Sequence, residues 1–93
     1  MTLQGYIVVP TDNLVAVRSA LPMHIELTRK EEGCLVFCVS HDNSTENRFN
    51  VYEEFVNRAA FETHQWRVKN SHWDQVTKSV ERHYQIREES KLP

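Results

Sequence analysis

Along "RFNVYEEF" (48–55) apolar and polar positions alternate, which predicts a half-buried strand. Phe49, Val51, Glu53 and Phe55 then share one side, so a carboxylate points toward the apolar face. "LQGYIVV" (3–9) predicts another strand, with Leu3, Gly5, Ile7 and Val9 on one side and Gln4, Tyr6 and Val8 on the other. "CLVFCVSH" (34–41) predicts a third. It is apolar on both sides, Leu35, Phe37 and Val39 against Cys34, Val36 and Cys38, so both sides should be covered. The polar loop "DNSTEN" (42–47) joins it to 48–55 as a hairpin.

Helical spacing appears in three places. Leu14, Val17, Leu21 and Ile25 form a stripe that stays in phase across Pro22, predicting one bent helix over 12–31 that stops at Gly33. Asn57 can cap a helix through "RAAFETHQW". Ser71 with Asp74 forms a cap for a further helix to about residue 83, carrying Trp73, Val76, Val80 and Tyr84. "HYQIRE" (83–88) then alternates as a last strand, and 89–93 reads as a frayed tail.

The order strand, helix, strand, strand, helix, strand predicts an α+β ferredoxin-like domain, βαββαβ, over 3–88. It is an antiparallel four-stranded sheet with helices on one face. Helices can cover only one side of such a sheet. The apolar residues on the other side, among them Tyr6, Val8 and Tyr52, predict a homodimer packed sheet against sheet, a dimeric α/β-barrel-like assembly.

Composition narrows the partners. A chain of 93 residues supports a single thin core, and a net charge of −2 offers no basic footprint for nucleic acid or an anionic membrane. No apolar run has the length of a membrane span, and the N-terminus lacks the pattern of a signal peptide, so the expected location is cytoplasmic. Cys34 and Cys38 on one strand lie roughly 13 Å apart, too far for a disulfide, and read as two buried thiols. Gly5 and Gly33 are the only glycines, which leaves no phosphate-cradling loop for a nucleotide.

The candidate chemistry rests on a few polar residues. Glu53 is either a structural carboxylate bonded near a strand end or a pocket acid whose burial raises its pKa. His64 shares a helix side with Ala60, beside Phe61. It is either a satisfied core histidine or an acid–base group that titrates near neutrality. No nucleophile motif surrounds it, which favours proton transfer over covalent catalysis. His24 reads as a half-exposed helix residue that could line the mouth between helix and sheet; His72 is a first-turn polar residue and Trp73 core. Glu53, His64 and His72 supply ligand types for a metal, but their spacing is not that of a metal site.

"EEGCLVFCV" (31–39), "RFNVYEEF" (48–55), "AAFETH" (59–64) and "SHW" (71–73), in this order, resemble the antibiotic biosynthesis monooxygenase domain. The resemblance implies a dimeric ferredoxin-like fold with a pocket between sheet and helices in each subunit. It implies oxygenation of quinols or polycyclic phenols without flavin, haem or metal, hence no cofactor; other relatives degrade haem or isomerise small phosphorylated ketones. It places the strand acid on Glu53, the helix histidine on His64 and the later aromatic step on His72 and Trp73. On this reading His64 takes a proton, Glu53 orients it, and His72 or Arg48 holds an oxyanion. Trp66, Trp73, Phe55 and His24 hold a flat apolar substrate. Phe55 stands where several active oxygenases of that family carry tryptophan, and "GYIVV" lacks the asparagine of haem-degrading relatives. The alternatives are a non-catalytic dimer that binds a small hydrophobe, or an acid–base isomerase of a small keto compound.

Overall fold

A computed structural model describes residues 1–88. Strand β1 (Thr2–Val8) leads through a 3-10 turn (Thr11–Asn13) into helix α1 (Leu14–Arg29). The hairpin β2 (Cys34–His41) and β3 (Arg48–Phe55) follows, then α2 (Arg58–Lys69), α3 (His72–Val76) and β4 (Glu81–Arg87). The strands form one sheet in the order β2-β3-β1-β4, every neighbouring pair antiparallel. This is the ferredoxin-like α+β arrangement.

Alternation in β3 does what its sequence predicts. Phe49, Val51, Glu53 and Phe55 are all buried, whereas their neighbours Arg48, Asn50, Tyr52 and Glu54 are half-buried. Leu3 and Ile7 of β1 and Val9 just beyond it join that layer from the centre of the sheet, with Leu14 and Val17 of α1 and Phe61 of α2 above. Both predicted caps form. The Asn57 side chain accepts from the Ala60 N–H at 2.8 Å, and Ser71 Oγ accepts from the Asp74 N–H at 3.3 Å.

Two glycines are required by their surroundings. At Gly5 a Cβ would lie 1.9 Å from the His83 carbonyl oxygen of β4, so the central strand can pair there only without a side chain. Gly33 ends the α1 turn with φ +90°, and a Cβ there would also lie 2.7 Å from Ala60 Cβ of α2.

Several expectations need correction. The first helix begins at Leu14 after its 3-10 turn and ends at Arg29, and Pro22 lies inside it. Its buried positions are Leu14, Val17, Ala20, His24 and Thr28; Leu21 and Ile25 sit half-buried beside them. Hydrophobicity misplaces this face because two of its most buried residues are polar. The last helix stops at Val76 rather than near 83, since the Thr77 hydroxyl bonds back to the Trp73 carbonyl at 2.7 Å and Arg82 donates to the Thr77 carbonyl at 3.1 Å. The final strand consequently starts two residues earlier than predicted, at Glu81.

On β2 only Phe37 is buried. A register irregularity between Cys34 and Val36 turns Leu35 out to solvent. Cys34 is half-buried and Cys38 exposed, rather than both buried, because among the described residues nothing covers that side of the sheet at Cys38. The tail 89–93 lies outside the described residues. Among the described residues no helix is long and apolar enough to cross a membrane.

Candidate acid–base site

The buried side of β3 and the inner side of α2 meet at two titratable residues. Asn57 starts α2 so that Phe61 and His64, three residues apart, both turn toward the sheet. His64 is 3% exposed and Glu53 6%. Glu53 Oε1 lies 3.8 Å from His64 Nε2, too far for a hydrogen bond, and has no hydrogen-bond partner. Phe55 and Phe37 close the imidazole in, with ring centroids at 5.0 and 5.9 Å.

The other ring nitrogen is held. His64 Nδ1 lies 2.8 Å from Glu31 Oε2 in the turn after α1. Arg67, one turn along α2 from His64, donates from Nε to the same oxygen at 2.8 Å and from Nη2 to the buried Thr28 hydroxyl at 3.0 Å. A carboxylate at Nδ1 calls for the proton on that nitrogen, so the neutral ring presents its free lone pair at Nε2, toward Glu53.

Burial sets the protonation pattern. Removal from water pushes the Glu53 carboxyl up to about 7, and the nearby Glu31 charge pushes the same way. Burial lowers the His64 pKa below its ordinary value, while its bond to Glu31 works against that shift. Near neutral pH the pair therefore combines a neutral imidazole with a carboxyl group close to its own titration point. That is the composition of a proton-transfer site.

His24 completes the cluster from α1. It is buried, not half-exposed. Its ring stacks on Trp73 at 4.5 Å and 4°, meets Phe37 edge-on at 5.3 Å and lies 6.3 Å from the His64 ring. A cleft of about 50 Å³ opens beside it, lined by residues of α1 that include Met23 and Leu27 and by Arg67, His72 and Trp73. This space holds a water molecule or dioxygen but not an aromatic ring.

The structure thus brings together Glu53, His64, Phe55, His24 and Trp73. His72 is exposed at the cleft rim rather than beside His64. Trp66 is 71% exposed, because it falls on the outer side of the helix whose inner side carries His64. Arg48 is on the opposite face of the sheet, its guanidinium 3.6 Å above the Tyr6 ring, and Tyr6 in turn stacks on His83 at 4.6 Å. In this structure Trp66 and Arg48 therefore both lie away from His64. Among the described residues no three His, Cys, Asp or Glu side chains converge as a metal-holding set.

Sequence reasoning missed Glu31, Arg67 and Thr28. Arg67 had a signal in its three-residue spacing from His64. Glu31 stands in a turn, outside any periodic pattern.

A small ferredoxin-like α+β domain with an acid–base cluster between sheet and helices defines the class of protein. The sequence profile of the antibiotic biosynthesis monooxygenases matches residues 1–79, and the chain belongs to that family. No curated protein matches it. Among solved structures it is similar to a Deinococcus radiodurans protein provisionally called an antibiotic biosynthesis monooxygenase, with TM-score 0.70 and 22% identity over 100% of this chain and 98% of that one. A Pseudomonas aeruginosa protein gives TM-score 0.72 and 22% identity over 99% and 93% of the two chains. A Nitrosomonas europaea protein, also provisionally called an antibiotic biosynthesis monooxygenase, gives 0.71 and 21% over 91% and 92%. At these identities the likeness establishes the fold.

Proposed function

We propose that this chain is a cofactor-independent monooxygenase acting on a quinol or another electron-rich aromatic or enol substrate. The observation that carries the reading is the His64 imidazole, fixed at Nδ1 by Glu31 and facing at Nε2 a buried Glu53 carboxyl whose Oε1 has no hydrogen-bond partner. Nε2 takes the substrate hydroxyl proton, and Glu31 stabilises the resulting imidazolium. Protonated Glu53 donates to the oxyanion. The electron-rich anion reduces dioxygen, one oxygen atom entering the ring and the other leaving as water. For a simple quinol the balance is quinol plus dioxygen to hydroxyquinone plus water. Phe37, Phe55, His24 and Trp73 are the walls that exclude bulk water.

The cleft is smaller than such a substrate, so binding must displace Trp73 and the short helix α3. The same size favours the second reading, an acid–base isomerase of a small keto compound. Phe55 in place of tryptophan favours instead a non-catalytic dimer that binds a small hydrophobe. An oxygen electrode with a panel of quinols separates the two. Uptake matched by hydroxyquinone formation supports the oxygenase. Keto-compound proton exchange in heavy water without oxygen uptake supports the isomerase, and neither activity would leave only a binding role.

The assembly belongs to the same proposal. Tyr6, Val8, Val36, Cys38 and Tyr52 lie on the sheet face that no helix covers, and a second copy packed sheet to sheet would bury them. Sedimentation at micromolar concentration is expected to show a dimer; a monomer would refute this arrangement.

A further inference from the structure

We propose that His24 is a specificity residue: it reads a second polar group on the ligand, remote from the hydroxyl that His64 and Glu53 handle. This rests on the acid–base reading above. Two observations carry it. First, His24 Nδ1 is buried with no hydrogen-bond partner, as is Glu53 Oε1, and the two residues flank the same His64 ring. Buried polar atoms are nearly always partnered, so two orphans around one imidazole mark places kept for polar atoms the chain does not supply. Second, packing alone fixes the His24 ring. Trp73 covers one face in a parallel stack and Phe37 meets it edge-on, which sets the direction of its nitrogens while leaving their hydrogen-bonding capacity unspent.

The cleft beside His24 is where the ligand's second polar group would approach the ring. Its walls are Ala20, Met23, Leu27 and Trp73, with Arg67, Ser71 and His72 as the polar lining. Met23 and Leu27 are themselves solvent-exposed, so the mouth is apolar and open to the outside. Charge also suits a neutral ligand group. Burial, His64 and Arg67 all keep the His24 ring uncharged, so it offers one acceptor and one donor and attracts no anion. A ligand with two oxygen functions, hydroxyl or carbonyl, on one flat frame satisfies both orphans at once. One with a single oxygen leaves His24 unpaired, and a site built for a hydroxyl rejects an analogue that lacks it.

The test compares phenol with 1,4-dihydroxybenzene, titrated calorimetrically without oxygen into wild type, His24→Leu and His24→Asn. Wild type is expected to prefer the dihydroxy ligand by tenfold or more. His24→Leu should bring that ratio close to one by weakening 1,4-dihydroxybenzene more than phenol, and His24→Asn should restore part of it. In wild type labelled with ¹⁵N, the His24 Nδ1 resonance should move with 1,4-dihydroxybenzene and stay with phenol; this arm stands even if His24→Leu fails to fold. An unchanged ratio in His24→Leu, or a resonance that moves equally with both ligands, overturns the inference and leaves the acid–base reading intact. A water that already satisfies Nδ1 would give that same result. Wild type that binds neither ligand overturns both.

Discussion

His64→Gln is expected to lower oxygen uptake with a quinol substrate by about 10²- to 10⁴-fold, the usual worth of a positioned general base. Glutamine keeps a donor for Glu31 and a polar group toward Glu53. It therefore keeps the hydrogen bond to Glu31 and fills the space beside Glu53, where an alanine would lose the bond and leave a void. Its amide cannot accept a proton near neutral pH, so chemistry is lost while packing is largely kept. An oxygen electrode measures the rate and a thermal melt checks the fold. A variant that melts cooperatively and turns over within a few-fold of wild type removes His64 from the mechanism.

The same arrangement predicts a bell-shaped pH–rate profile. The acid limb reports His64, which must be neutral to accept a proton and whose pKa lies below 6.5. The alkaline limb reports Glu53, which must hold its proton to donate and titrates at about 7. The limbs belong to the interacting pair rather than to either residue alone.

Much of this was legible in the sequence, and the parts that were not share a cause. Strand β3 and helix α2 each follow a clean period, so Glu53 and His64 could be placed on facing sides before any coordinates. Asn57 and Ser71 cap as their types demand. The first helix was harder, because His24 and Thr28 lie on its buried side and a hydrophobic count passes over them. Buried polar residues are where a site departs from the pattern that folds the domain. Glu31 opens the stretch 31–39 that carries the family resemblance, but no helical or strand period assigns it a role. It acts from a turn, and only the tertiary arrangement brings it against a residue 33 positions away. Arg48 misled for the opposite reason. It precedes a buried strand residue, and strict alternation puts it through the sheet, on the side of Tyr6. Trp66 shows that an aromatic side chain is no guide to burial when helical phase points it outward.

Glu53→Gln is expected to change the pH dependence of stability strongly, in the direction opposite to the histidines of the site. The folded-state value of Glu53 is raised from 4.5 to about 7. A group raised in this way contributes stability that is fully present below pH 4.5 and is lost as pH rises through 7, because the unfolded chain ionises it more readily. The shift corresponds to about 3 kcal/mol. His24 runs the other way. Its value falls from 6.5 to about 3, so its stability is present above pH 6.5 and is lost as pH falls toward 3. Between pH 4.5 and 6.5 the two slopes oppose each other, so a nearly flat wild-type profile there would conceal both. Glutamine matches protonated Glu53 in size and does not titrate. The stability of Glu53→Gln relative to wild type should therefore grow by about 3 kcal/mol from pH 4 to pH 8. Between pH 6.5 and 4.5 the variant alone should show the unmasked acid loss due to the histidines. Urea unfolding at pH 4, 6 and 8 measures the difference. Parallel profiles for the two proteins would mean that Glu53 is ionised and well partnered in the folded chain, and its role as a proton donor would fall with that result.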